Sequence, residues 1–397
     1  MVCHNFSGLT LGSSVPGFAT VSHSDISVVP DPDTLRLYTW GGDLLQKFVE
    51  FPYSTALAFC HIENPDKSRH SCDPRNILQK VVDKAKEIGY QCVMFSELEF
   101  YLLKNGEPVD SGKYLDAPPK DRAGLFRRIL ADFFTKLGGV VKRIHHECGP
   151  GQQELEMQLT PAMWNADCTI LGIWACHLIS DAMGWDCVFD PKPWMDRAGN
   201  GLHMHIMLQD LEGKNVMYSA EDPQKLSKVA RQFMAGQLKY ASEITAVFAR
   251  EHSTFDRLRP GFEAPVYKFW DFSNRTSLVR VPHINPDDLP EKQRCEFRAG
   301  DASGNPHLLA AAIMYAGIKG IMEELDPVPN FTLNADEMTA EQLAAHGVGL
   351  LPRSLAECNE ILASSPFIEE LLGRRAADFL IAENNKRIHG TTSDCHH

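Results

Sequence analysis

Acidic and imidazole side chains recur two residues apart inside apolar runs, the period that sets them on one face of a β-strand. In Cys92-Val93-Met94-Phe95-Ser96-Glu97-Leu98-Glu99-Phe100, Glu97 and Glu99 share one face and Leu98 and Phe100 the other. The device returns in Gln153-Glu154-Leu155-Glu156-Met157, with Glu154 seven residues beyond Glu147, in His203-Met204-His205-Ile206-Met207 and in Cys295-Glu296-Phe297-Arg298. A single pair of this kind is what any half-buried strand shows toward solvent. Four in one chain aim carboxylates, imidazoles and a guanidinium at a common surface, where like charges at close range need divalent cations to neutralise them. Oxygen-rich ligands suit Mg²⁺ or Mn²⁺, so the pattern reads as a multi-metal site. His145, His146 and His252 read as surface or packing histidines, and Glu156 as the solvated face of its strand.

A second set is cationic. Arg257-Leu258-Arg259-Pro260-Gly261-Phe262-Glu263 reads as a turn and Asn274-Arg275-Thr276-Ser277-Leu278-Val279-Arg280 as a strand with a polar entry, followed by Arg294 and Arg298. Guanidinium forks bind two oxygens of a phosphate or carboxylate at once and stay charged. Several of them beside a magnesium-type site point to nucleoside triphosphate chemistry, in which metal and arginine neutralise a phosphoryl group in transfer. The chain has no G-x-x-x-x-G-K-[ST] loop, so it is not a P-loop enzyme.

Elements must hold these groups in place. Asp73-Pro74 opens a helix as N-cap and first residue, and Ile77, Leu78, Val81, Val82 and Ala85 carry its apolar stripe until Gly89. Helical patterns follow at 122–138, 163–184, 222–249, 306–325 and 354–385, with short alternating strands between. The absence of a regular βαβ rhythm predicts an α+β fold with an antiparallel sheet. Gly and Pro punctuate short strands before residue 70, which places a domain boundary there and divides the chain into 1–70 and 71–397.

Composition narrows the classes. Asp and Glu number 52 against 39 Lys and Arg, a net charge of −13 without any basic run, which excludes a nucleic-acid groove or an anionic membrane surface as partner. Eleven scattered cysteines with no C-x-x-C argue against a disulfide framework or thiolate zinc site and for a reducing cytoplasm. The apolar start lacks the basic flank of a signal peptide, and the longest apolar window, Leu308 to Met322, falls short of the ~18 residues of a membrane span.

In these motifs the chain resembles the glutamine synthetase family over nearly its whole length. The resemblance rests on Ser96-Glu97-Leu98-Glu99-Phe100, on Glu147 with Gly149-Pro150-Gly151-Gln152-Gln153-Glu154, on Gly199-Asn200-Gly201-Leu202-His203-Met204-His205, on the block from Arg257 to Pro282, on Arg294-Cys295-Glu296-Phe297-Arg298 and on Asp301-Ala302-Ser303-Gly304-Asn305-Pro306. It implies a small amino-terminal β-grasp domain, here shortened, and a catalytic domain whose curved antiparallel sheet is flanked by helices. It implies ATP and two or three Mg²⁺ or Mn²⁺ ions, one ion on Glu99, Glu147 and Glu154 and another on Glu97, His203 and Glu296. His205, Arg280, Arg294 and Ser273 match nucleotide-binding positions, and Arg275 the group on the phosphate in transfer. Arg257, Arg298 and Gly199 match the glutamate site, Glu147 also touches the ammonium site, and Glu263 matches the flap acid. The family assembles as rings of most often twelve subunits with sites between neighbours, so a homo-oligomeric ring is implied here.

The implied reaction phosphorylates the γ-carboxylate of glutamate and lets an amine displace the phosphate. One departure bears on the amine. Ammonia-using members carry a D-G-S-S turn whose Asp reaches the neighbour's ammonium pocket, whereas this chain has Leu11-Gly12-Ser13-Ser14. An apolar side chain in place of the acid favours a larger organic amine over NH₄⁺. Ammonia is the alternative, since Glu147 is retained, and a catalytically inactive structural or regulatory relative is another. Ten residues precede that turn where the family has several tens, which implies a pared-down first domain or a true start farther upstream.

Overall fold

The computed structural model describes residues 9–11, 26–38, 55–262, 264–272, 274–326 and 328–390. Five short strands come first: β1 (Leu9–Leu11), β2 (Ile26–Pro30), β3 (Arg36–Tyr38), β4 (Thr55–Leu57) and β5 (Cys60–Glu63). They pair antiparallel as β1-β2-β5 and β3-β4. Helix α1 (Pro74–Glu87) begins as the sequence predicts. The Asp73 carboxylate accepts the Arg75 N–H, and Pro74 sits in the first turn, where no helical hydrogen bond is lost. Beyond its cap, Arg75 is a buried strut. Its guanidinium donates to Asp167 (3.0 and 2.9 Å) and to Asp31 (3.0 Å), and His307 Nε2 also meets Asp167 at 2.8 Å, so one network ties the β2–β3 connection to three helices.

The main sheet contains β6 (Tyr90–Lys104), β7 (Glu107–Pro108), β8 (Val141–His146), β9 (Gln152–Met157), β10 (Thr160–Pro161), β11 (Asp186–Val188), β12 (Leu202–Asp210), β13 (Tyr267–Asp271), β14 (Ser277–Arg280), β15 (Cys295–Phe297) and β16 (Gly349–Leu350). Its order is β16-β13-β14-β15-β12-β6-β9-β8, with β7, β10 and β11 adding to the long β6. Pairing is antiparallel except between β13 and β14, which run parallel, a mixed sheet where an antiparallel one was expected. Period-two patterning cannot distinguish the two, since both alternate faces in the same way.

The helices are α2 (Gly124–Lys136), α3 (Ala162–Ala182), α4 (Lys228–Lys239), α5 (Ala241–Phe248), α6 (His252–Arg257), α7 (Pro306–Met322), α8 (Ala340–Ala345), α9 (Leu355–Ser364), α10 (Pro366–Leu372) and α11 (Arg374–Ile388). Two of the expected long helices are divided. The 222–249 pattern becomes α4, capped by Ser227, and α5, which meet at Tyr240. The 354–385 pattern becomes α9, α10 and α11, because Pro366 has no N–H to continue α9 and Gly373 turns the chain at φ +72°. Both breaks preserve the apolar spacing, so periodicity alone ran through them.

Leu98, Phe100 and Leu155 point from β6 and β9 into a core closed by α1, α2 and α3, with Phe100 5.9 Å from Phe126 of α2. Helix α7 is apolar on nearly every side and correspondingly buried, packed against α1, α3, α4 and α5. This layer occupies one face of β6, β9 and β12. The polar members of their alternation are left for the other face.

Candidate functional site

Strand register decides which polar residues meet. Opposite β6, His203 pairs with Glu97 and His205 with Phe95; on its other side Glu156 pairs with Glu97 and Glu154 with Glu99. The ladder continues outward, with Glu296 opposite His205, Arg280 opposite Glu296, Arg143 opposite Glu156 and His145 opposite Glu154. Directly opposed residues share a face, so the pairs read separately from the sequence become rows of one surface. That surface lines a cavity of about 620 Å³.

Among the described residues three groups of three ligand atoms converge at this surface: Glu97, His203 and Glu296; Glu99, Glu147 and Glu154; and His145, Glu154 and Glu156, each set of atoms lying within 4.8 Å of one another. His203 Nδ1 is 3.3 Å from Glu97 and 3.8 Å from Glu296. His205 Nε2 donates to Glu97 at 2.8 Å, while its Nδ1 accepts Arg294 Nε at 3.2 Å, which fixes the tautomer. The His205 ring stacks on Phe95 with centroids 4.1 Å apart.

The carboxylates do not behave alike. Burial pushes Glu154 well above the usual range, and Glu97, Glu99 and Glu147 reinforce this against the opposing His145. Burial also raises Glu99, with Glu147 adding to it, while His203, the Gly201 N–H at 2.5 Å and Arg257 pull the other way. Burial would raise Glu97 too, but His205 and His203 reverse it and hold the carboxyl well below its ordinary value. Glu296, fully buried, is lowered against burial chiefly by Arg298 and His205. Its Oε1 accepts Arg298 Nη1 at 2.5 Å; its Oε2 lies 2.7 Å from Arg280 Nε but out of alignment, so that buried oxygen has no hydrogen bond among the described residues. Clustered acids that repel one another, with a buried carboxylate oxygen left unsatisfied beside an imidazole, fit divalent cations by donor type and spacing.

The arginines line the rest of the wall. Arg275, Arg280, Arg294, Arg298 and Arg257 border the cavity together with Gly199 and Ala198, and Arg298 Nε donates to the Arg275 carbonyl at 3.2 Å. Arg257 is buried and held by two carbonyls, Ala299 at 2.8 Å and Arg298 at 3.0 Å. A Cβ on Gly199 would come within 2.5 Å of the Pro191 carbonyl and 2.9 Å of Arg257, so that loop approaches as closely as it does only with glycine. Glu263 and Ser273, singled out from the sequence, lie outside the described residues.

Several cavity residues were not singled out. Glu156, read as merely solvated, is 5% exposed and held by Lys142 (2.8 Å) and Arg143 (2.9 Å). His145, read as a surface histidine, bridges Glu154 (3.1 Å) and Glu156 (3.3 Å), and their charges raise it to about 10 although burial opposes them. The alternation that flagged Glu154 also covers Glu156, but His145 becomes visible only through its register. Tyr114 donates to Glu147 and has no signal in the sequence. Asp110 accepts from His146, from the N–H groups of Gly112, Gly151 and Arg122, and so pins the loop after Glu147. His252, as expected, is exposed and only grazes the Arg387 carbonyl at 3.4 Å.

The family described as glutamine synthetase, catalytic domain, matches residues 71–394. The chain belongs to the glutamine synthetase family. Among relatives, the glutamine synthetase of Mycolicibacterium smegmatis is 35% identical over 384 residues, covering 95% of this chain and 84% of the relative. That of Pyrococcus furiosus is 33% identical, covering 93% and 80%. Two solved structures share the fold: a crystal structure of a novel glutamine synthase homolog, with TM-score 0.81 and 22% identity over 96% of this chain and 84% of that one, and the Plasmodium falciparum glutamine synthetase seen by cryo-electron microscopy, with TM-score 0.83 and 21% identity over 98% and 88%. The α+β fold and the family of ligases follow from these matches. Among the described residues no helix is long and apolar enough to cross a membrane.

Proposed function

We propose that this family member is an ATP-dependent ligase that joins the γ-carboxylate of glutamate to an amine, more readily an organic amine than ammonia. The observation that carries the reading is the convergence of the Glu99–Glu147–Glu154 and Glu97–His203–Glu296 triads beside a cavity lined by six arginines. Glu99, Glu147 and Glu154 would hold one divalent cation and Glu97, His203 and Glu296 another. Such ions, Mg²⁺ or Mn²⁺, neutralise phosphate oxygens when bound. Arg280 and Arg294, with His205 oriented between Arg294 and Glu97, grip the nucleotide phosphates, and Arg275 supports the phosphoryl group as charge moves off ATP. Arg257 and Arg298 hold the acid substrate, with Gly199 allowing its close approach. The amine arrives beside Glu147, where Tyr114 and His145 supply the remaining polar wall.

The preference for an organic amine rests on Leu11, which ends strand β1 opposite Ile26 where ammonia-using members carry an acid. This reading includes a ring assembly in which the amino-terminal segment of one subunit, set off near residue 70, completes the neighbour's site. ADP release with glutamate, ATP and Mg²⁺ or Mn²⁺ against ammonia, methylamine, ethanolamine, putrescine and spermidine tests it. Turnover with an organic amine well above ammonia supports the reading. Ammonia as the best substrate makes the enzyme a glutamine synthetase that works without the acid, and silence across the panel overturns the glutamate–amine assignment in favour of a different acid substrate or a non-catalytic role.

A further inference from the structure

Lys192 is only 5% exposed, yet none of the chemistry above uses it. It sits in the connection between β11 and β12, the segment that presents Ala198 and Gly199 to the cavity. Its ammonium donates to the Arg197 carbonyl at 2.5 Å and lies 3.5 Å from the centroid of the Phe262 ring. The backbone around it is already anchored: the Lys192 N–H is held by Asp190 at 2.8 Å, Asn200 donates to the Asp190 carbonyl at 2.9 Å, and Asp190 in turn accepts Ser253 of α6 at 3.0 Å. Phe262 is different. It follows Gly261 in the turn beyond α6, is 37% exposed, and lines the cavity near Arg257 and Gly199. Among the described residues the ring is not part of the buried apolar core, and the buried cation sits on its face.

We propose that Lys192 is a positioning residue: through the Phe262 ring it straps the turn after α6 against the Ala198–Gly199 loop and keeps water from the acid-substrate end of the cavity. Burial and the nearby Arg259 and Arg257 lower the ammonium's pKa. The inference rests on the ligase reading. In that reaction an acyl phosphate exposed to water is hydrolysed to glutamate and inorganic phosphate, so a loosened strap shows as ADP released without amide formed.

The test compares full-length wild type with Lys192→Met, Lys192→Arg and Phe262→Leu. Two quantities are read: amide formed per ADP released, and hydrogen exchange of the peptide covering 257–262 without substrates. Lys192→Met and Phe262→Leu should each raise the ADP released per amide by about 3- to 30-fold, the range a buried cation–π contact spans, and speed exchange in the turn. Lys192→Arg should restore both, because a guanidinium keeps the charge on the ring. Unchanged coupling and unchanged exchange in both Lys192→Met and Phe262→Leu would overturn the proposal. A wild type that releases no ADP with any amine would instead defeat the ligase reading, and the exchange data would then decide the strap alone.

Discussion

Replacing Glu296 by glutamine removes one negative charge from the centre of the site with almost no change of shape. Glu296 is fully buried, belongs to one ligand triad, and faces both Arg298 and Arg280. Two effects follow and they separate. Without any metal, the variant leaves two guanidiniums short of an anion, and breaking a buried ion pair of this kind costs about 3 kcal/mol. With metal, each site filled at 100 times its Kd adds about 2.7 kcal/mol of stability, so two such sites add roughly 5 kcal/mol. Loss of a charged ligand weakens its site by at least the ~100-fold at the upper end of what lost supporting hydrogen bonds cost metal affinity, which brings that site's share down to about 0.4 kcal/mol at the same Mn²⁺ concentration. Thermal unfolding with and without Mn²⁺ reads the two apart: the apo variant melts lower, and its Mn²⁺-induced rise is about half that of the wild type. A variant whose Mn²⁺-induced rise equals the wild type's would refute the placing of Glu296 at a metal site, whatever its baseline stability.

Other consequences are equally direct. Burial would raise the Asp110 carboxyl, but hydrogen bonds from His146 and from the N–H groups of Arg122 and Gly112 hold it at about 2, and the same pairing raises His146 above its ordinary 6.5. The carboxyl therefore stabilises the fold above its ordinary 3.8 and less and less as pH falls toward 2, whereas the imidazolium stabilises below 6.5 and is lost above. Asp110→Asn should cost about 2 kcal/mol near pH 5.5 and much less at pH 2.5, measured by urea unfolding; an equal cost at both would contradict the pairing. Gly236 of α4 abuts the backbone of Ala316 and Gly320 in α7, so Gly236→Val should drive the helices apart and lose about 3 kcal/mol or more, and a variant of wild-type melting temperature would show the crossing to be looser than described. Arg75→Met strands the buried Asp167 and should lose about 3–5 kcal/mol, most of it recovered in the double variant Arg75→Met with Asp167→Leu; additive losses in that cycle would deny the coupling.

How much could be read from the chain alone depends on the range of the interaction concerned. Helix α1 was legible because its signals are local, a cap at Asp73, Pro74 behind it and an apolar stripe ending at Gly89. The acids at 97, 99 and 154 and the imidazoles at 203 and 205 were legible for the same reason, since a strand's period of two assigns each side chain its face without reference to any partner. The breaks at Tyr240, Pro366 and Gly373 passed unseen because the spacing of buried residues continues across them. The parallel pairing of β13 with β14 was hidden because alternation is identical in both directions.

The residue types and their faces, then, could be read from the sequence, acids and imidazoles in strand-spaced pairs beside arginines. Which of those faces lie opposite one another was decided only by register across six strands, and a one-residue slip of any of them would have turned its polar side chains toward the core. That is why His145 and Glu156 changed from surface residues into part of the cavity wall, and why Tyr114, Asp110 and Lys192 had no signal at all. Their roles come from partners 33, 36 and 70 residues away, at Glu147, His146 and Phe262, brought within contact by the fold.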